Sequence, residues 1–191
     1  MESKSLENYL LSKYKLSKIE DLIPKKVEEL SLNKLDNNEI QDYDLKDLEE
    51  FENLKYVSLQ NFKINNYETN ELNRCKNLSA VQFSNCKFNS KSRLKRDIKV
   101  IAFNNCKGLK LEYLSALKTL ETLKILNCGI INLKHIGVYI KSLEKVYFEN
   151  TKIYNFASLS KLKKLILVEL VNCKWNRKSK ALFSEEVQIE E

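Results

Sequence analysis

Apolar residues return along this chain in one skeleton, repeated seven times. VEELSL from residue 27, LKYVSL from 54, LSAVQF from 78, IKVIAF from 98, LETLKI from 120, LEKVYF from 143 and LILVEL from 165 all carry apolar side chains at their first, fourth and sixth positions. The starts lie 27, 24, 20, 22, 23 and 22 residues apart, and similarity at such a period marks a repeat architecture. The fourth and sixth positions are two apart, so on a strand they share one side while the residues flanking them face the other way. A single short strand cannot bury its apolar side, but stacked strands form a parallel sheet over a continuous core. Between strands the spacing changes from two to three, as in Leu48, Phe51 and Leu54, in Leu114, Leu117 and Leu120, and in Leu159, Leu162 and Leu165. That spacing predicts helical or 3-10 turns packed behind the sheet. Cys75 fills the matching slot between Leu72 and Leu78 and reads as a small core residue.

The motifs LxxLxLxNC and LxxLxxLxxL, repeated in register over about residues 27–175, resemble those of the leucine-rich-repeat superfamily. The resemblance implies an α/β fold, a right-handed solenoid with a parallel concave β-sheet and short helical or 3-10 returns on its convex side. Repeats near 22 residues with short returns look like the class found in phosphatase-regulator and internalin-type proteins. The NC pair is similar to the cysteine-containing repeats of F-box partners. The stretch PKKVEELSLN, with LEEFENLKYVSL downstream, resembles the acidic nuclear phosphoproteins of the same superfamily, although the long acidic tail of that group is missing. The subfamily stays open.

The flanks are expected to be caps. Leu6, Tyr9, Leu10, Leu16, Ile19, Leu22 and Ile23 are spaced like the apolar stripe of one or two short helices, and such a cap would cover the core and sheet edge that a first strand leaves open. The pattern stops after Trp175. The expected organisation is therefore a helical cap over 1–26, seven repeats over 27–175 and a short cap or tail over 176–191.

Composition narrows the class. At 43% hydrophobic and 31% charged residues the chain holds enough apolar material for a core and is not expected to be disordered. Three glycines and one proline argue against a sandwich built on tight turns. The opening MESKSLENYLLSKYK has no uninterrupted apolar run, and no later segment approaches a membrane span. A monomer in the cytoplasm is expected, with the nucleus as the alternative. The net charge of +7 is unevenly spread: residues 1–60 carry nine Lys/Arg against fourteen Asp/Glu, and residues 61–184 carry twenty-four against eight. Such a field bears on partners and encounter rather than on fold.

Three ladders follow the sixth position. Cys86, Cys106, Cys128 and Cys173 fall at the ninth, where Phe62 and Thr151 stand in other repeats. Zinc needs ligands converging tetrahedrally, whereas equivalent side chains of a solenoid point in parallel, so no metal or cofactor is expected. The resemblance implies that this position turns inward to hydrogen-bond loop backbone, and the cysteines read as architecture. Asn61, Asn85, Asn105, Asn127, Asn150 and Asn172 hold the eighth position; they either read a partner's backbone or, the favoured reading, bond each other and the turn. Lys63, Lys87, Lys107, Lys152 and Lys174 hold the tenth, interrupted by Gly129. This row is either a solvated edge, the favoured reading, or a rim for a polyanion such as RNA or an acidic peptide. Further basic clusters stand at Arg93, Lys95 and Arg96 and at Lys161, Lys163 and Lys164, on return segments without interleaved aromatics.

The expected concave face takes the residues beside the fourth and sixth positions. Tyr56, Ser58, Gln60, Gln82, Ser84, Val100 and Asn104 make its early part neutral; Lys124, Leu126, Tyr147, Glu149, Leu167, Glu169 and Val171 make the later part mixed. Exposed Tyr147, Leu126 and Val171 beside Lys124, Glu149 and Glu169 read as anchors with a polar surround. The single histidine, His135, has no motif around it, and no phosphate loop, paired-histidine motif or nucleophile elbow occurs. A non-enzymatic module binding a protein partner on that face is expected, with an RNA-associated protein using the lysine rim as the alternative.

Overall fold

The alternation becomes a parallel sheet of eight strands. The computed structural model describes residues 27–33, 45–89, 94 and 97–191; the expected N-terminal cap and the cluster Arg93, Lys95 and Arg96 lie outside the described residues. The strands are β1 (Glu29–Asn33), β2 (Tyr56–Gln60), β3 (Lys63–Ile64), β4 (Ala80–Ser84), β5 (Lys87–Phe88), β6 (Val100–Asn104), β7 (Thr122–Asn132), β8 (Lys145–Tyr154), β9 (Leu167–Val171) and β10 (Gln188–Glu190). The main sheet runs β1-β2-β4-β6-β7-β8-β9-β10, and β3 pairs with β5 beside it.

Register follows the repeat. The fourth positions align as Leu30, Val57, Val81, Ile101, Leu123, Val146 and Val168, and the sixth as Leu32, Leu59, Phe83, Phe103, Ile125, Phe148 and Leu170. All fourteen are buried in one core. Each such side chain contributes about 1.5–3 kcal/mol relative to exposure, so a slip by one residue, which would turn every one of them to solvent, is strongly disfavoured. Phe83 stacks on Phe103 with ring centroids 5.6 Å apart, and Phe88 meets both edge-on.

The returns obey their spacing. Where apolar residues recur every third position the chain forms 3-10 helices, over Leu45–Glu50, Leu111–Leu114 and Phe156–Lys161. Three residues per turn place Leu45, Leu48, Phe51 and Leu54 on one buried line. The longer return after β3 holds an α-helix, Asn66–Arg74, whose Thr69 and Leu72 are buried, as is Cys75 just beyond it. Four-residue spacing between Ile136 and Ile140 accompanies a short α-helix, Ile136–Tyr139.

Six repeats turn a sharp corner at an asparagine, just after β2, β4, β6 and β9 and within β7 and β8. Asn61, Asn85, Asn105, Asn127, Asn150 and Asn172 all take left-handed backbone, with φ between 49° and 64°. Asparagine visits this region more readily than other residues with a Cβ because its short polar side chain bonds locally. Beyond the corner, Gly108 (φ 72°) is required by packing as well: a Cβ there would stand 2.5 Å from the Phe88 carbonyl oxygen.

Two features depart from a plain repeat. The segment after Trp175 forms a 3-10 helix, Arg177–Leu182, and then β10, which pairs with β9 in the register Gln188–Leu167, Ile189–Val168, Glu190–Glu169. In β7 the register shifts after Leu126, so that Gly129 lies opposite Thr151 and Ile130 opposite Lys152. One extra residue is accommodated there, the signature of a β-bulge.

Candidate interaction surfaces of the sheet and its rim

Away from the core, the sheet presents three aligned rows, and this is the face expected to be concave. The middle row reads Ser31, Ser58, Gln82, Ala102, Lys124, Tyr147, Glu169 and Glu190. One flanking row brings Tyr56, Ala80, Val100, Thr122, Lys145 and Leu167 into line, and the other Gln60, Ser84, Asn104, Leu126, Glu149 and Val171. Strands β2, β4 and β6 therefore carry no ionisable group on this face other than the Tyr56 phenol. Its hydroxyl bonds Gln82 Oε1 at 3.0 Å, and Gln82 Nε2 donates to Ser84 Oγ at 3.2 Å, so part of this polar surface is self-satisfied.

Strands β7 to β9 differ. Tyr147 has Lys124 and Glu169 as its neighbours in the row, and the Lys124 ammonium lies 4.9 Å from the centre of its ring. Tyr147 and Leu126 are half-buried rather than exposed; Val171, at 48% exposure, is the open apolar residue of the trio. Glu149 accepts from Asn150 Nδ2 at 3.2 Å. The structure thus brings Lys124, Leu126, Tyr147, Glu149, Leu167, Glu169 and Val171 onto three adjacent strands.

The asparagines bond each other. Asn105 Nδ2 donates to Asn85 Oδ1 at 2.8 Å, Asn150 to Asn127 at 2.7 Å and Asn172 to Asn150 at 2.6 Å, while Asn127 reaches Asn104 instead of Asn105 at 2.9 Å. These amides are largely engaged with one another.

The ninth positions turn to the backbone. Cys86 Sγ donates to Leu59 O and Ser84 O at 3.3 Å, and Cys106 Sγ to Phe83 O at 3.4 Å. Thr151 Oγ1 makes the same bond to Glu149 O at 2.8 Å. All five cysteines are free thiols; Cys128 and Cys173 are only half-buried. The thiols of Cys86, Cys106 and Cys128 also interact in series. The hydrogen bond to Cys106 holds Cys86 below its usual range. At Cys106 the bond to Cys128 pulls down, but the bond to Cys86 and burial outweigh it and push the thiol up to about 12. Cys128 is raised by its bond to Cys106 and by burial. No group of three or more His, Cys, Asp or Glu side chains placed to hold a metal occurs among the described residues.

On the rim, Lys63 pairs with Lys87 in the β3–β5 sheet, Lys87 bridges Lys107, and Lys152 bridges Lys174. The gap in the row is occupied by Ile130, 63% exposed, because the bulge sets it rather than Gly129 opposite Lys152. None of the ion pairs among the described residues engages these five lysines. Lys152 lies 5.0 Å from the ring centre of Tyr154.

A crystal structure of an internalin (InlF) from Listeria monocytogenes superposes on the chain with a TM-score of 0.58 over 87% of its residues, at 15% identity. The fold is a leucine-rich-repeat solenoid. This solenoid spans about half of that internalin, 48% of its chain. No family model and no curated protein matches the sequence. No helix among the described residues is long and apolar enough to cross a membrane.

The rows of the solenoid are legible in the sequence, but the residues singled out from it leave out Ser31, Ala80, Ala102, Thr122, Lys145 and Glu190 on the face and Ile130 on the rim. Ile130 was hidden by the bulge, which no spacing rule discloses. Glu190 was hidden because the last strand keeps only one core-facing apolar residue, Ile189, in place of the repeat's usual set.

Proposed function

We propose that the chain is a non-enzymatic protein-interaction module whose partner docks on the open face of the sheet, at strands β7 to β9. The observation that supports this reading is the grouping of Tyr147, Leu126, Leu167 and Val171 among Lys124, Lys145, Glu149 and Glu169 on adjacent strands. Apolar and aromatic groups that shed water on contact, ringed by charges of both signs, are the composition of an interface centre with a selective border. Solenoids commonly bind along such a sheet face. Strands β2, β4 and β6 would then supply neutral hydrogen-bonding contacts through Ser58, Gln60, Gln82, Ser84 and Asn104.

The test is affinity capture from native lysate, with nuclease, comparing the wild-type chain with the double variant Tyr147→Ala, Glu149→Lys. A protein partner that survives nuclease and is lost from the variant is expected. Tyr147 is half-buried beneath Lys124, so the variant should melt a few degrees lower, about 2–4 °C per kcal/mol for a domain of this size. Unchanged capture by the folded variant would overturn the reading.

A further inference from the structure

We propose that the rim of the solenoid, from Lys63 to Lys174, is a second docking surface, which receives an acidic peptide segment carrying one apolar anchor residue that seats at Ile130. Four observations lead there, and none depends on the open-face reading.

The first is electrostatic. Lys63, Lys87 and Lys107 are aligned directly across parallel strands, as are Lys152 and Lys174, and like charges in that relation destabilise a sheet. No carboxylate among the described residues relieves them. An anionic ligand would.

The second is the bulge. At the register shift between β7 and β8, an exposed isoleucine stands opposite Lys152, at the point of the row where the sequence lacks a lysine. Bulges re-aim side chains beside functional sites, and an aliphatic group in mid-row serves no purely electrostatic end.

The third is the groove beside it, about 390 Å³, in which apolar Leu109, Ile130 and Tyr139 stand together with basic Lys110 and Lys134. Glu112 is the one carboxylate among its lining residues.

The fourth separates a peptide from a nucleic acid. Single-stranded nucleic acids bind by stacking bases on aromatic faces. Of the aromatics beside the rim, Tyr154 has Lys152 over its ring and Trp175 is half-buried against Phe156, and the mid-row residue is aliphatic.

The geometry also sets the ligand's length. Six strands at about 4.8 Å give a rim of about 24 Å, spanned by about seven to eight extended residues. Through Lys152, Ile130 lies two pairings from Lys174, and in strand order it lies three repeats from Lys63. The anchor is therefore flanked by about four acidic residues on one side and about three on the other.

The experiment is fluorescence anisotropy at low salt with three labelled probes. They are an oligoglutamate of about eight residues with one internal leucine, the same peptide with serine for leucine, and a single-stranded oligouridylate. The leucine peptide should bind about tenfold more tightly than the serine peptide, the yield of one buried aliphatic side chain, and more tightly than the RNA. Lys107→Glu should weaken all three. Ile130→Lys completes the lysine row, so it separates the mechanisms: the leucine peptide should weaken about tenfold while the oligouridylate binds better. Ile130 is 63% exposed, so both variants should keep the wild-type circular dichroism. Equal binding of the two peptides, tighter binding of the RNA, or a gain for the leucine peptide in Ile130→Lys would each overturn the proposal.

Discussion

Replacing Lys87 by glutamine should stabilise the fold, and only at low salt. Lys87 stands in register between Lys63 and Lys107, and no described carboxylate pairs with it. With the ammonium groups splayed to about 6 Å in water, each repulsion is about 0.7 kcal/mol, or about 1.4 kcal/mol for two neighbours. Solvent screening and further splaying reduce this, so the expected gain is about 0.5–1 kcal/mol at about 0.01 M salt, where the Debye length exceeds the spacing. At about 1 M salt the Debye length is roughly 3 Å and the gain should vanish. Urea unfolding monitored by circular dichroism at both ionic strengths reads the difference, with Lys118→Gln as the control on an exposed return lysine. If Lys87→Gln is neutral at low salt, or if its gain survives at high salt, the lysines are not repelling one another. No repulsion on the rim would then call for an anion.

Two further predictions concern the corners and the thiols. Asn105 has φ 52° and donates to Asn85, so Asn105→Ala loses the bond and adds about 1–2 kcal/mol of left-handed strain, whereas Asn105→Gly loses the bond without the strain. Denaturant midpoints should rank wild type above glycine above alanine, and an alanine variant as stable as the glycine one would refute the strain argument. Cys106 is held protonated in the fold up to about pH 12 from an ordinary value of 9.0. The native state therefore retains a proton that the unfolded chain releases, and the stability this gives is complete below pH 9 and declines between about pH 9 and 12. Cys106→Ser, which keeps the inward donor as Thr151 does in its own repeat, should flatten that alkaline decline in melting temperature; an unchanged slope would show that Cys106 does not titrate in this way.

The sequence by itself determined the repeat, its register and its core. A period of two can bury both Leu123 and Ile125 only on a strand, and a period of three can bury Leu114, Leu117 and Leu120 together only on a tight turn, so local chemistry and global fold agree. It also determined which residues share the open face, because alternation admits only two sides. The tertiary structure decided what depends on pairing between strands some twenty residues apart. It closed the tyrosine of β8 under a lysine of β7, and it drew Gln188, Ile189 and Glu190 into an eighth strand beside β9, with Gln188 N donating to Ile166 O at 2.9 Å. Above all it set Ile130, not Gly129, into the lysine row. A bulge is a mismatch in length between two neighbouring strands, and that mismatch exists only once both are paired.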